Sequence, residues 1–281
     1  MGLVKHLVLD VLFLIGGYME KINHNFKKKY GQNFINDFTI IEKIVSTASV
    51  DKNDLVLEIG PGAGILTKEL LKKTRVLAYE IDTELKNILQ SELKNEDLNI
   101  IWDDFLKRDV SKDIEGISYN KLYVIANLPY YITTPIIQKL IDEKLPLSDI
   151  IIMVQKEVAD RFCAKPGKKE YGSITAFLNY HFDISKLFDV KKDKFFPQPK
   201  VDSAVISLKT RKDKLYIKDE KKLFSLIKDS FQFKRKNLRN NLREYDLEKI
   251  EQVLARHNMD LAVRAESISI DLFCEISNYL N

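Results

Sequence analysis

The stretch NLPYYITTP, residues 127–135, places an amide side chain and an aromatic ring three positions apart, with a proline between them. Because proline fixes one of its own backbone angles and restricts the residue before it, this loop has little conformational freedom. An amide oxygen and a main-chain carbonyl can together accept both hydrogens of an exocyclic amine, and a ring can stack on the base that carries it. We interpret Asn127, Leu128, Pro129 and Tyr130 as a clamp for an amino-bearing base, although a proline turn with a packed tyrosine explains them equally well.

A glycine-rich turn follows the apolar run at residues 55–59. Gly60, Gly62 and Gly64 allow the backbone to approach a ligand closely, and the start of the next predicted helix favours negative charge. The spacing is G-x-G-x-G, whereas dinucleotide sites have G-x-G-x-x-G. Glu58, just before the turn, disfavours a pyrophosphate and favours a cationic or amino-bearing ligand.

Acidic residues follow the next two predicted strands. Glu80 lies where a carboxylate accepts hydrogen bonds from ribose hydroxyls in nucleotide sites. Asp103 or Asp104 can accept from the exocyclic amine of adenine, and Ile81 and Phe105 can pack on its ring faces. Glycines and then acids at three successive strand ends indicate an adenosyl ligand without phosphates, which S-adenosylmethionine fits. One of the two aspartates fits a plain surface turn as well.

The two patterns together favour methyl transfer to an amine. The lone pair of the adenine amine is delocalised into its ring, so two acceptors on the amine hydrogens would hold the nitrogen nearer tetrahedral geometry and make it a better nucleophile. No strong general base is required, because the proton can leave after in-line displacement. Catalysis of this kind depends on positioning and electrostatics.

The elements that position these residues alternate along the chain. Apolar spacing predicts right-handed crossovers and a parallel sheet covered on both faces, a doubly wound α/β domain. The motifs above follow strands, so we expect them to meet at the carboxyl edge of the sheet. Strands are predicted at 54–60, 75–80, 98–102, 121–127 and 148–155, and helices at 39–48, 65–73, 83–93 and 134–144.

After about residue 205 the strand pattern stops, and helical periods continue to the end of the chain. A Lys-rich linker between Arg211 and Asp219 separates a small all-helical domain at 213–281 from the sheet domain. At the other end, residues 1–18 weakly resemble a signal peptide, but Asp10 interrupts an apolar run too short to span a bilayer. We expect a disordered extension there.

The composition bounds the function. The 281 residues are 45% hydrophobic and 31% charged, which suits one large core and a smaller second domain. Net charge is only +4, but basic residues outnumber acidic ones by about three to one between Lys191 and Arg243, and Lys27–Lys29 form a second basic run. With two cysteines and four histidines, and no ligand spacing among them, we expect no metal site and a reduced, cytoplasmic setting.

From about Lys28 to its C-terminus the chain resembles the KsgA family of ribosomal RNA adenine dimethyltransferases. Ile35 stands where the family usually has Leu, a mild departure. The segments that carry the resemblance, in the family's order, are KKYGQNFINDFTI, EIGPGAGILT, YEID, NLPYYITTPI, MVQKEVADR, FFPQPKVDSAV, KRKNLRNNL and RAESIS.

The resemblance implies a Rossmann-like class I methyltransferase sheet over residues 19–212. It implies dimethylation of N6 on two adjacent adenosines, in the hairpin loop near the 3′ end of 16S rRNA, with S-adenosylmethionine as donor. Phe195 would match the family's second stacking ring, with Phe196 the alternative. The implied cofactor contacts, beside Glu58, Gly62 and Ile81 from the patterns above, are Asn33, Ile35, Gly60, Glu80, Asp104 and Asn127.

The implied partner is 16S rRNA within the immature 30S subunit, bound by a monomer without membrane attachment, with a role in small-subunit biogenesis. The helical domain would supply phosphate contacts through Lys234, Arg235, Lys236 and Arg239. The same segment has apolar residues that we expect in the core, which leaves one face for RNA: Phe231, Phe233, Leu238 and Leu242.

Three other functions compete with this interpretation. Methylases of 23S rRNA that confer macrolide resistance share the glycine turn and the N-[LI]-P-[YF] motif, but the downstream segments favour the small-subunit group. A non-catalytic ribosome-assembly factor would have no need of the intact Asn127–Tyr130 loop. A nicotinamide dehydrogenase is disfavoured by the glycine spacing and by the lack of an evident hydride-handling His or Tyr-Lys pair.

Overall fold

The computed structural model describes residues 33–213 and 215–281, which form two compact units. The sheet unit contains residues 33–156 and Leu187–Ser207. The helical unit contains Glu157–Lys186 and Leu208–Asn281. The expected extension at 1–18 and the basic run Lys27–Lys29 lie outside the described residues.

The described residues include a seven-stranded sheet and a two-stranded ladder. The sheet order is β4-β3-β2-β5-β6-β9-β7, and β1 pairs with β8 antiparallel. The strands are β1 Phe34–Ile35, β2 Leu55–Ile59, β3 Arg75–Tyr79, β4 Leu98–Ile101, β5 Leu122–Asn127, β6 Leu147–Gln155, β7 Phe182–Val190, β8 Phe195–Phe196 and β9 Ser203–Thr210.

Helices fill most of the connections between strands and most of the C-terminal region. The first of them follow the βαβ alternation predicted from apolar spacing. They are α1 Phe38–Thr47, α2 Ile65–Leu70, α3 Lys86–Glu92, α4 Val110–Asp113, α5 Thr133–Asp142, α6 Lys156–Phe162, α7 Ser173–His181, α8 Glu220–Ser230, α9 Leu238–Asn241, α10 Leu247–Arg256 and α11 Ile270–Leu280.

The centre of the sheet is parallel, with β2 paired to β3 and β5, β3 to β4, and β5 to β6. All five residues of β2 are buried, as are the first five of β5. Near-continuous apolar runs of this kind are typical of strands covered on both faces. The predicted α/β Rossmann-like fold is therefore confirmed.

The chain order places a topological switch point between β2 and β5. From β2 the chain moves outward to β3 and β4, and it then returns to the other side of β2 as β5. Open α/β sheets bind ligands in the crevice beyond the carboxyl ends of the strands at such a point. The residues that follow β2 and β5 are the glycine turn and the NLPY loop.

Two features of the C-terminal half differ from the sequence predictions. Strands continue past residue 205, because β9 extends to Thr210. The strand β7 escaped prediction because it lies at the sheet edge with most of its residues at least partly exposed, so its apolar alternation is irregular.

The helical unit also begins earlier in the chain than the predicted boundary at 213. Residues 157–186 group with it because Tyr171 and Ala176 share a buried cluster with α8, α10 and α11. Leu238 and Leu242 lie in that cluster and Phe231 packs against it, as expected. Phe233 does not, since its side chain is 56% exposed, and its assignment to the core was wrong.

Candidate active site

One cleft opens at the carboxyl edge of the parallel sheet, entirely within the sheet unit. It collects nearly all of the predicted cofactor and clamp residues, which come from separate strand ends. Its lining includes Asn33, Ile35, Glu58, Gly60, Gly62, Glu80, Ile81, Asp104, Asn127, Leu128, Pro129 and Tyr130.

The glycine turn after β2 requires glycine at two positions for different reasons. Gly62 has φ +57°, and a Cβ there would lie 2.5 Å from the Phe34 ring. Gly60 has φ +74°, and a Cβ there would meet nothing within 4 Å. The turn is thus packed against Phe34 on one side and leaves open space at Gly60, where a ligand can approach the backbone.

Glu80 connects the glycine turn to the end of β3. Its carboxylate accepts from the backbone N–H of Gly62 at 3.0 Å and from that of Asp82 at 2.8 Å. Each oxygen keeps lone-pair capacity for a further donor, such as a ribose hydroxyl. Burial raises the pKa of Glu80, and the hydrogen bonds from the backbone oppose that rise.

Glu58, in β2, is a buried carboxyl group beneath the turn. Its Oε2 has no hydrogen-bond partner within the described chain. Burial away from water raises the pKa of Glu58 to about 8. The group is therefore largely neutral at pH 7, and a donor or cation placed against it would favour its ionised form.

The segment after β4 supplies two aspartates and one aromatic contact. Asp104 accepts from the Leu106 N–H at 3.0 Å and so caps a short 3-10 turn, while Asp103 accepts from the Asp104 N–H at 2.7 Å. Phe105 is buried edge-on against Tyr79, with ring centroids 5.0 Å apart. Both aspartates line the cleft and both stabilise the turn, so geometry alone does not choose between them.

Asn127 lies at the last position of β5, and its amide orientation is fixed by the backbone. Its Nδ2 donates to the Asn33 carbonyl at 3.0 Å, which directs Oδ1 away from that contact as an acceptor. Asn33 is held nearby because β1 pairs with β8. A residue nearly a hundred positions earlier thus orients the predicted clamp.

Tyr130 is fixed at its outer end. Its hydroxyl lies 2.6 Å from Ser203 Oγ at the start of β9, and Ser203 is fully buried. Burial raises the pKa of Tyr130, so its hydroxyl stays protonated at neutral pH. The ring is half-buried and lines the cleft, in a position set by both the proline turn and β9.

The two phenylalanines of β8 point to opposite faces of their ladder. Phe195 pairs with Ile35 and is only 2% exposed, whereas Phe196 pairs with Phe34 and is 49% exposed. Both partners, Phe34 and Ile35, line the cleft, so the pairing alone does not choose between the two rings. Phe195 packs in a buried cluster of the sheet unit, whereas Phe196 is the exposed ring, and which of the two stacks on a base stays a prediction.

Sequence reasoning left several cleft residues without a role. Phe34 packs on the glycine turn, Ser203 fixes Tyr130, and Tyr131 lines the cleft with its side chain 60% exposed. The only available signal was proximity to a motif, and the contacts that matter join residues far apart in sequence.

The predicted phosphate-binding residues lie in the helical unit. Lys234, Arg235, Lys236 and Arg239 are all exposed. Arg239 is paired with Glu251 at 3.4 Å, and Lys234 donates to the Lys169 carbonyl at 2.9 Å. In the described parts of the chain, no group of three or more His, Cys, Asp or Glu residues is arranged to hold a metal ion, and no helix is long and apolar enough to cross a membrane.

Comparison with known proteins gives a consistent result. Residues 23–281 match a family model described as ribosomal RNA adenine dimethylase. The protein named ribosomal RNA small subunit methyltransferase A from Clostridium acetobutylicum is 42% identical over 265 residues, covering 92% of this chain and 95% of that protein. The protein of the same name from Aster yellows witches'-broom phytoplasma is 44% identical over 263 residues, covering 91% and 96%.

Solved structures support the fold. A dimethyladenosine transferase from Plasmodium falciparum superposes with a TM-score of 0.72 at 24% identity, covering 86% of this chain and 95% of that one. The 23S rRNA methyltransferase ErmE gives a TM-score of 0.72 at 23% identity, covering 88% and 99%. At these identities the similarity concerns the fold alone.

Proposed function

The chain belongs to the ribosomal RNA adenine dimethylase family, and from that premise we propose that it dimethylates N6 of two adjacent adenosines in the 3′-terminal hairpin loop of 16S rRNA. The observation that carries the proposal is the Asn127–Tyr130 loop, oriented by Asn33 and Ser203, at the edge of a cleft with the chemistry of an adenosyl site. We propose S-adenosylmethionine as the methyl donor.

The lining of the cleft fits that cofactor. The unpartnered buried oxygen of Glu58 can accept from an amino group, and the open space at Gly60 admits a ligand against the backbone. Glu80 would hold the ribose hydroxyls, Asp104 the adenine amine, and Ile81, which is 42% exposed, would cover a ring face. When bound, S-adenosylmethionine supplies an electrophilic methyl group.

The residues of the clamp position the methyl acceptor. Asn127 Oδ1 and the Leu128 carbonyl accept the two hydrogens of the adenine amine, and so direct its lone pair. Pro129, with φ −58°, fixes the turn between them and Tyr130, whose ring stacks on the base. The amine loses its proton after the new bond forms, so the clamp lowers the barrier by orientation and electrostatics.

We propose that the rRNA is recognised within the immature 30S subunit by a monomeric, cytoplasmic protein. The exposed cations of the helical unit would neutralise phosphates around the target hairpin. Relatives at 42% and 44% identity carry the small-subunit name, which favours 16S over 23S rRNA as substrate. ErmE, the 23S enzyme, shares the fold at 23% identity.

The test is methyl transfer from labelled S-adenosylmethionine to 30S subunits that lack the modification, followed by mapping of the labelled bases. We expect two adjacent dimethylated adenosines and no label on protein-free 23S rRNA. Asn127→Ala should lower the rate by about 10²–10³-fold, with particle binding largely retained. Asn120→Ala, an exposed asparagine before the start of β5, is the matched control. Labelling of 23S rRNA alone, or full activity of Asn127→Ala, would contradict the proposal.

A further inference from the structure

An exposed aromatic side chain lies within the basic segment of the helical unit. Phe233 is 56% exposed and is followed directly by Lys234, Arg235 and Lys236, all exposed. Single exposed apolar residues are common on protein surfaces. Two further observations distinguish this one.

The turn that carries Phe233 is held rigidly. Asn241 Oδ1 accepts from the Phe233 N–H at 3.2 Å, and Asn241 Nδ2 donates to the carbonyls of Phe233 at 3.3 Å and Ser230 at 2.7 Å. The Lys236 N–H also donates to the Phe233 carbonyl at 2.8 Å. The buried Asn241 amide therefore fixes the backbone of the turn, so the segment that carries the ring needs no backbone ordering on binding.

A second basic segment adjoins the turn within the same unit. Lys234 Nζ donates to the Lys169 carbonyl at 2.9 Å, which joins the turn to the loop at residues 165–170. That loop is held to the unit by the Gly167 N–H, which donates to the Glu266 carbonyl at 2.7 Å. Its three lysines, Lys165, Lys168 and Lys169, are exposed.

Most of these cations are available to an anionic partner. Lys169 is paired, because its Nζ lies 3.6 Å from a carboxylate oxygen of Glu170. Within the described chain, four of the cations have no carboxylate oxygen within 4.0 Å of a side-chain nitrogen: Lys165, Lys168, Arg235 and Lys236. An exposed aromatic ring on a basic surface is the combination that binds single-stranded nucleic acid, in which bases stack on rings while Lys and Arg contact the phosphates.

We propose that Phe233 is a stacking site for an unpaired nucleotide of the small-subunit rRNA, with the cations of the turn and of the 165–170 loop on the adjoining phosphates. This site rests on the proposed function, and it adds a base contact at a surface otherwise assigned only to phosphates. Charge complementarity favours RNA over an apolar protein segment, because the four unpaired cations of these two segments would be costly to bury against apolar protein.

The experiment measures binding of protein-free 16S rRNA, and of 30S subunits lacking the modification, by the full chain across a salt series. Phe233→Ala should weaken both about tenfold without changing the slope of log K against log salt, because no charge is removed. Phe233→Trp should bind at least as well as the original. Lys236→Ala should instead reduce the slope by about 0.7–0.9.

Tyr216→Ala is the matched control, since Tyr216 is a 76% exposed aromatic of the same unit that lies in the Lys-rich linker and outside the two segments of the proposed site. The affinity of this variant for RNA should equal that of the unaltered chain. Unchanged affinity of Phe233→Ala would overturn the proposal, and so would a loss confined to 30S subunits, which would indicate a protein contact. If the unaltered chain methylates 16S rRNA and Phe233→Ala binds RNA with the same affinity as the unaltered chain, the stacking site is wrong and the proposed function stands. If the unaltered chain neither binds nor methylates 16S rRNA, both fail.

Discussion

The contact between Tyr130 and Ser203 shows how single side chains prepare the clamp. The hydrogen-bond partner of the Tyr130 hydroxyl lies 73 positions later in the sequence, at the start of β9. Because that contact fixes the far end of the ring, the plane available to a base is set by the sheet as well as by the loop. Ser203 is a positioning residue, since it acts on the base only through Tyr130.

Removing this hydrogen bond should reduce the rate without abolishing it. We expect Ser203→Ala and Tyr130→Phe each to lower kcat by roughly 3–10-fold, and the double variant to be no worse than the poorer single one, because both remove the same contact. Steady-state methylation kinetics of the three variants test this.

Ser207→Ala provides the control, because Ser207 lies in the same strand and donates to Asp149 in a buried site away from the cleft. Its loss should lower stability and leave kcat unchanged. Fully additive effects of the Ser203 and Tyr130 changes would show that the two residues act separately.

Glu58 makes stability depend on pH in an unusual direction. Burial raises its folded-state pKa to about 8 from the ordinary value of 4.5, so the folded chain retains a proton that the unfolded chain releases. The stability gained from this proton is complete below the unfolded pKa, and it is lost as the pH rises toward 8. Relative to wild type, Glu58→Gln should therefore gain stability with pH, by up to about 1.4 kcal/mol per unit between pH 5 and 8.

Urea unfolding of both proteins at pH 5 and pH 8 measures this difference. Any pH-independent cost of the glutamine amide cancels when the two pH values are compared. If the free energy of unfolding of Glu58→Gln minus that of wild type does not increase from pH 5 to pH 8, Glu58 is ionised in the folded protein.

At the scale of elements, the glycine turn depends on packing by β1. Gly62→Ala places a methyl group against the Phe34 ring as well as forcing an L-residue to φ +57°. Gly116→Ala pays a similar backbone cost at φ +79°, but with nothing within 4 Å. We expect Gly62→Ala to destabilise by about 1–3 kcal/mol more than Gly116→Ala.

Only Gly62→Ala should also weaken S-adenosylmethionine binding, since the turn lines the cleft. Denaturant unfolding and calorimetric titration measure the two effects. Equal destabilisation by the two changes would show that Phe34 yields readily and does not constrain the turn.

At the scale of the whole molecule, the two units are interleaved in sequence. The helical unit takes residues 157–186 from the middle of the chain, and their Tyr171 and Ala176 lie in its core with residues of α8, α10 and α11. A chain that ends at Arg211 lacks these partners. We expect it to bind the dye ANS and to lose cooperative unfolding, because a buried apolar cluster is exposed.

Near-UV circular dichroism and thermal unfolding of the truncated and full chains provide the measurement. If the truncated chain unfolds as cooperatively as the full one, residues 157–186 are stable without the C-terminal helices. The sequence boundary at 213 would then also mark an independent folding unit.

The sequence alone determined the parallel sheet and the location of its chemistry. Near-continuous apolar runs such as β2 and β5 indicate burial on both faces, and a motif directly after such a run lies at the carboxyl edge of the sheet. Glu58, Glu80 and Asn127 were therefore found at the cleft from their order in the chain alone.

Only the tertiary structure decided how those residues are oriented and which neighbours they have. The two-residue ladder of β1 and β8 turned Phe195 into the core and left Phe196 exposed, and long-range contacts placed Asn33 on Asn127 and Ser203 on Tyr130. Phe233 was expected in the core with its apolar neighbours, and it is exposed in a turn between two helices. Local pattern fixes an element and its place in the order, but side-chain direction and burial depend on residues far away in sequence, which local pattern does not contain.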